Sequence, residues 1–222
     1  MRITGGEWGG RSLRTPPPGS EVRPTQDWVR EALFSIFQAR LAGNDWIDLY
    51  AGCGTIGLEA LSRGAARVTW VEKDIRNVRL ILENFLAFAR PDAAAPDPAA
   101  VPLRPTARPV HRENARHVPA FPLPETFPGT ELVCADALSW LQGGGRGRRA
   151  DVLYADPPYA DALRAGFGGH LRLAAEHDVV KPDGYFAAEM PFGMAAAPAD
   201  GWEILRDRQY GRTRLVVWRR KA

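Results

Sequence analysis

Lysine is almost missing from this chain. Of 29 basic residues only Lys73, Lys181 and Lys221 are lysines. Cysteine is scarce too: Cys53 and Cys134 stand alone, in no C-x-x-C and no Cys/His metal spacing. That excludes a disulfide framework and a structural zinc site, and no metal is expected. No apolar run approaches the ~18 residues needed to cross a bilayer. The opening MRITGGEWGG has no apolar stretch of the signal-peptide kind. The expectation is a soluble, reduced, cytoplasmic protein, and with no long apolar seam, a monomer. Net charge is small, +3 from 29 basic and 26 acidic residues. Arginine suits phosphate and carboxylate recognition. Compositional bias accounts for its total, because Ala, Gly and Pro are abundant as well, so only local clusters carry an argument.

What is present is enough apolar residue for a core, 45% of 222 residues, in a length that suits one domain with an appendage. Residues 2–15 read as a small hairpin around GGEWGG, and residues 25–41 as an amphipathic helix with Thr25 as its cap. From residue 46 the pattern alternates. Strands are expected at 46–50, 67–72, 131–135, 151–155 and 185–190, and helices at 55–63, 74–89, 136–142 and 162–177. Alternating strands and helices predict a doubly wound, mostly parallel α/β sheet. The last segment, WEILRDRQYGRTRLVVWRR, reads as two strands turning at Tyr210-Gly211, which puts an antiparallel strand near one edge.

Residues 91–128 break this rhythm. Ten of those 38 residues are proline, which predicts a surface insertion, extended or partly disordered. His111, Arg112 and His117 fall in it with no partner ligands. GGGRGRR at 143–149 reads as a second loose, basic segment. The chain therefore divides into an N-terminal unit, 1–41, packed on a core, 42–222, that carries the insertion.

The chemistry begins at DLYAGCGTIG, residues 48–57. Gly52, Gly54 and Gly57 spell G-x-G-x-x-G between a strand and a helix, and Glu72 ends the next strand. This is the nucleotide-binding fingerprint: a tight turn, close backbone approach, and an acid for ribose hydroxyls. Asp48 decides which nucleotide. A pyrophosphate over the loop would repel a carboxylate there, whereas a ligand with an ammonium group and no phosphate suits it. S-adenosylmethionine is such a ligand. Glu72 would take its ribose hydroxyls, and Asp136 could accept from the adenine amine. Two plainer roles compete: Asp48 as a helix N-terminal anion, and Asp136 as an N-cap.

The second motif is DPPY, Asp156 to Tyr159, straight after the strand 151–155. Each proline lacks an N–H and fixes its φ, and each residue before a proline is pushed into extended backbone. The result is a stiff shelf with two outward acceptors, the Asp156 carboxylate and the Pro157 carbonyl, and an aromatic ring beside them. Asp156 could instead be a turn residue of the Asx type. In a doubly wound sheet, however, the crevice lies at the carboxyl ends of the strands. There the shelf can hold both N–H groups of an exocyclic base amine, turn its lone pair toward a methyl donor, and stabilise the charge that develops. Tyr159 would stack on the base. The base must leave any stack to reach such a pocket, which implies a nucleic-acid substrate. No Pro-Cys nucleophile for cytosine C5 chemistry is present.

RITGGEWGGRSLRTP, RPTQDWVREALFSIF, DLYAGCGTIGLEALSRGA, VEKD and DPPY together make the chain resemble the RsmD family, bacterial enzymes that methylate the N2 amine of one guanine in 16S ribosomal RNA. The resemblance implies a class I S-adenosylmethionine-dependent methyltransferase fold. It also implies cofactor roles for Asp48, Gly52, Gly54 and Glu72. With Tyr50, Lys73, Asp136 and Ala137 these complete the candidate cofactor set. It implies catalytic roles for Asp156, Pro157, Pro158 and Tyr159. Its basic N-terminal segment would contact RNA through Arg2, Arg11, Arg14, Arg23 and Arg30. The family's usual DRVRE reads Asp27-Trp28-Val29-Arg30-Glu31 here, an indole in place of one basic contact. The implied partner is 16S rRNA in the small ribosomal subunit or its assembly intermediate. Two alternatives stay open: an adenine-N6 methyltransferase of DNA or RNA, and a nucleotide- or RNA-binding module without catalysis.

Overall fold

The computed structural model describes residues 1–17, 25–89, 120–121, 123, 127–158 and 166–222. Among them, eight strands form one sheet: β1 (Asp45–Leu49), β2 (Arg67–Glu72), β3 (Ala120–Phe121), β4 (Glu131–Cys134), β5 (Ala150–Ala155), β6 (Val180–Pro191), β7 (Trp202–Tyr210) and β8 (Thr213–Arg220). Their order is β3-β4-β2-β1-β5-β6-β8-β7. The strands β4, β2, β1, β5 and β6 run parallel. β3 is antiparallel to β4, and β8 is antiparallel to both β6 and β7. Order reverses between β1 and β5, the switch point at which such sheets bind ligands.

The central strands read as almost continuous apolar runs because both faces are covered. Helices α1 (Asp27–Phe37), α2 (Thr55–Ser62) and α3 (Ile75–Ala89) contribute to the core on one face. The other face meets α4 (Ala137–Gln142) and α5 (Gly168–Glu176). Trp46, Trp70, Val152 and Leu215 point to the first core, and Ile47, Val71, Leu153 and Val216 to the second. That split follows from the two-residue period of a strand. The N-terminal segment has no core of its own. Ile3, Trp8 and Leu13 bury in the same cluster as Leu33, Phe34 and Phe37 of α1 and Trp46 of β1. Its hairpin is reduced to one bridge, Arg2 to Ser12.

Three expectations change. The end of the proline-rich stretch joins the fold: Ala120–Phe121 adds an edge strand, and Phe127 packs edge-on against Trp8 and Phe85. The remainder of 91–128, with His111, Arg112 and His117, lies outside the described residues. The GGGRGRR segment is tied down rather than loose. Gly145 N–H donates to the Trp140 carbonyl, Arg146 caps Gln142, and Arg148 and Arg149 pair with Glu131 and Asp178. Finally, β6 starts at Val180, before the expected 185: Val180 pairs with Ala150, the register is irregular over 181–184, and regular pairing resumes at Tyr185 opposite Val152. The helix expected at 162–177 is described from Gly168. Among the described residues no helix is long and apolar enough to cross a membrane.

Candidate active site

The glycine loop shows why each glycine is needed. Gly52 and Gly54 both have positive φ, 56° and 81°, a conformation that costs glycine little. Gly57 has no such φ, but a Cβ there would lie 2.1 Å from Trp70 Nε1. Its role is to let α2 close on β2. Tyr50, with φ 60°, is a non-glycine residue held in the left-handed region just before the loop. Such strain recurs at functional sites.

Three acids ring this loop, and each holds backbone. Asp48 is buried, and its carboxylate accepts from Gly57 N at 3.1 Å. Burial pushes its pKa up to about 8 against the opposing Gly57 hydrogen bond, with the Glu72 charge adding to the rise. Glu72, also buried, accepts from Gly52 N at 2.9 Å and Asp74 N at 2.8 Å. Each of its oxygens keeps a further lone pair for a hydroxyl. Asp136 caps α4 by accepting from Ser139 N at 2.9 Å, so the N-cap role is realised. It remains exposed and able to accept from a ligand as well. Ala137 is buried in the first turn of α4, and Lys73 is exposed after β2.

The carboxyl ends of β5 and β6 carry a second acidic group. Register places Tyr154 opposite Ala187 and Ala155 opposite Ala188, so Asp156 and Glu189 continue side by side. Tyr154 and Asp156 share the face that carries Asp48, because Asp48 pairs with Tyr154 across β1 and β5. The Tyr154 hydroxyl donates to Glu189 Oε1 at 2.5 Å, and Thr25 Oγ1 lies 3.5 Å from Asp156 Oδ2. Behind them Arg30 is fully buried, with Nε 3.2 Å from Glu59 Oε2. Burial first, then the Glu189 and Asp48 charges, hold Asp156 well above the usual carboxylate range. Glu189 is raised by burial too, but Tyr154, Thr25 and Arg30 favour its charged form. Pro157 is buried and Pro158 exposed, which gives the shelf one face fixed in the core and one toward the crevice. Tyr159 lies outside the described residues.

A family model described as conserved hypothetical protein 95 matches residues 1–96 and 106–219. The chain belongs to this family, the RsmD family. It is 27% identical over 225 residues to "Ribosomal RNA small subunit methyltransferase D" of Escherichia coli K12, covering 100% of this chain and 91% of that one. It is 25% identical over 223 residues to "Putative rRNA methyltransferase YlbH" of Bacillus subtilis, covering both in full, 100% and 100%. Among solved structures, the putative methyltransferase yhhF from Escherichia coli superposes with a TM-score of 0.70 at 24% identity, over 100% of this chain and 98% of that one. An RNA methyltransferase from Salinibacter ruber, solved with S-adenosyl-L-homocysteine, shares the fold at a TM-score of 0.52 and 13% identity, over 90% of this chain and 94% of that one. The fold is that of class I S-adenosylmethionine-dependent methyltransferases.

Within this RsmD-family fold the N-terminal arginines do not act alike. Arg30 is corrected outright. It is a core residue, held by Glu59, Asp27 and the carbonyls of Thr25 and Arg2, and is not available to RNA. Arg11 donates to the Ala87 and Phe88 carbonyls at the end of α3 and lies over the Phe88 ring. A cation there suits the helix dipole. Arg14 is exposed and pairs with Glu83 at 2.9 Å. Arg2 is exposed, and Arg23 lies outside the described residues.

Thr25 does not cap α1: the N-cap is Gln26, with no side-chain cap bond, and the Thr25 hydroxyl turns toward Asp156 instead. Sequence reasoning passed over that contact, and over Tyr154, Glu189 and His170. His170 Nε2 is 2.7 Å from the Tyr50 hydroxyl, and burial lowers its pKa to about 4 against the Asp136 charge, so its ring is neutral. The only signal for Glu189 was a carboxylate in the apolar run YFAAEM, where burial without a partner is costly.

Proposed function

We propose that this protein transfers a methyl group from S-adenosylmethionine to the exocyclic N2 amine of a guanine in 16S rRNA, presented within the small subunit or an assembly intermediate, and that it acts as a monomer. The coarser statement, S-adenosylmethionine-dependent methylation of rRNA, follows from family membership. The single observation that supports an exocyclic amine as the acceptor is the Asp156-Pro157-Pro158 shelf on the same face of the sheet as Asp48; the choice of guanine N2 rests on the family resemblance.

The residues fit the cofactor. Asp48 and Glu72 supply buried acids at the ends of adjacent strands. The loop between them turns tightly at Gly52 and Gly54, whose positive φ glycine adopts at little cost, and the absent Cβ of Gly54 leaves room for Ile81 of α3. Asp48 would hold the ammonium, Glu72 the ribose hydroxyls, Asp136 the adenine amine. When bound, S-adenosylmethionine supplies an electrophilic methyl on a sulfonium. The protein's part is to place the amine and manage its protons. Asp156 and the Pro157 carbonyl accept the two N–H groups, which lifts the lone pair out of conjugation with the ring. The N–C bond would form as the methyl–sulfur bond breaks, its electron pair staying on sulfur as a neutral thioether; the nitrogen becomes cationic, and Asp156 stabilises that charge. The surplus proton on nitrogen then passes to the Asp156 carboxylate. A sulfonium and a cationic amine nearby favour the ionised carboxylate that burial and Glu189 oppose in the ligand-free protein.

The test is methyl transfer from labelled cofactor to unmethylated small-subunit particles, with the product nucleoside identified by mass spectrometry. N2-methylguanosine at one site is expected. N6-methyladenosine would keep the cofactor and the shelf and overturn the substrate. No transfer to particles, naked RNA or DNA by cofactor-bound protein would overturn the catalytic reading.

A further inference from the structure

The N-terminal arginines are largely spent on the protein itself, yet a basic and aromatic surface exists at the other end of the sheet. β7 and β6 are each antiparallel to β8, so they run the same way. The end of β7 at Tyr210 therefore lies at the same edge as Glu189 and Pro191, the edge of the crevice. Two large apolar side chains are exposed there, Trp28 at 40% and Phe192 at 64%. Trp28 sits in the first turn of α1, three residues after Thr25, which reaches Asp156. Its indole lies 5.9 Å from the Tyr210 ring and against the Gly211 turn. Phe192 N–H donates to the Arg212 carbonyl at 3.0 Å, which ties the end of β6 to the hairpin turn.

Charge at this rim is basic and unspent. Arg208 pairs in register with Leu215, which in turn pairs with Glu189 of β6, so Arg208 shares the face of the reacting groups. Arg208 and Arg212 are exposed, and neither has an ion pair among the described residues. The nearby acids are largely engaged. Asp207 pairs with Arg214, and Asp27 with the buried Arg30. Glu31 is the further acid on the exposed side of α1. Exposed rings interleaved with free arginines match an unpaired nucleic-acid strand, whose bases stack on aromatics while its phosphates meet cations. Aromatics and arginine also mark protein interfaces; what favours RNA here is placement, because this rim continues the face that carries Glu189, beside which the substrate base enters.

We propose that Trp28, Tyr210 and Phe192, with Arg208 and Arg212, form the platform on which unpaired RNA bases flanking the target nucleotide stack. The proposal rests on the reading of RNA as substrate. It assigns the indole of Trp28 a gain in stacking where the family's usual residue is basic.

The experiment is equilibrium binding of a fluorescein-labelled single-stranded RNA to the cofactor-loaded full chain, across a salt series. Wild type is compared with Trp28→Ala/Phe192→Ala, Trp28→Phe and Arg208→Gln/Arg212→Gln. Stacking on an aromatic contributes ~1–3 kcal/mol per base. The double aromatic variant should therefore lose at least about tenfold in affinity, while Trp28→Phe keeps most of it. The arginine variant should flatten the salt slope by about 1.4, two phosphate contacts at ~0.7 each. Calorimetric cofactor binding, unchanged in all variants, certifies the fold. Variants that bind RNA as the wild type does, at every salt concentration, overturn the platform. So does a loss of affinity confined to assembled particles, which would make the rim a protein contact. Methyl transfer by the wild type is read separately: its absence counts against the functional reading, and the binding series alone decides the platform.

Discussion

The two halves of the crevice use acids in opposite ways. On the β1–β2–β4 side, Asp48, Glu72 and Asp136 each accept from a backbone N–H close in sequence, within twenty residues. On the β5–β6 side, Asp156 and Glu189 are held by side chains, Thr25 and Tyr154, and crowd each other's charge. A carboxylate satisfied by backbone donors positions a loop and keeps it. Burial and a neighbouring charge raise Asp48 as well as Asp156, but Asp156 is held by a side chain and stands on the shelf, where it can exchange a proton with a substrate. The first half is built to hold a cofactor, the second to handle a reacting amine.

Removing the reacting carboxyl should separate the halves most sharply. Asp156→Ala is expected to lower kcat by about a hundredfold or more, the scale of losing one group that stabilises developing charge. Cofactor binding measured by calorimetry should persist. Methyl transfer near the wild-type rate would erase the distinction. The next effect tests the first half by pH. Burial raises the Asp48 pKa from the ordinary 3.8 to about 8 in the folded protein. Between those values the native protein binds more protons than the unfolded chain, so ligand-free stability falls as pH rises through that window. A cationic ligand favours the ionised form. The cofactor dissociation constant should therefore fall by up to about tenfold per pH unit between about pH 6 and 8. Asp48→Asn should flatten that profile, and an unchanged slope would place the linked proton elsewhere.

Glu189→Gln sharpens the second half. It removes a charge that raises Asp156, so the acid limb of kcat/KM should move to lower pH. Asp48, Tyr154 and Thr25 still face Asp156, and Arg30 and Glu59 stay paired behind them. A purely structural role for Glu189 would lower activity without moving the limb. The smallest effect is expected at Asp136→Ala. Loss of the α4 cap should cost ~1 kcal/mol in denaturant unfolding, and a larger change in cofactor affinity than in stability would assign the carboxylate to the ligand too.

Legibility followed the same division. The glycine loop, Asp48, Glu72 and the proline shelf were readable because each is a local pattern whose backbone demands are written in adjacent residues. The parallel direction of the central strands was implied by alternation, since parallel strands need crossovers; their order came from the fold. The edge strand at Ala120–Phe121 was hidden in proline-rich sequence, because two residues carry no period. Arg30 misled for a physical reason. An arginine among arginines looks like surface, and only the packing of α1 against α2 shows that its partner is the buried Glu59.

The sequence by itself determined the cofactor loop, the shelf, the parallel sheet and the family, since turn geometry, proline stiffness and strand periodicity are short-range properties. Tertiary structure alone decided which acids crowd one another and which arginines are held in the core. Thr25 and Asp156 are 131 residues apart, Tyr154 and Glu189 are 35 apart, and Trp28 meets Tyr210 only across the sheet edge. Burial and charge crowding are set by such long-range neighbours, and no local pattern records them.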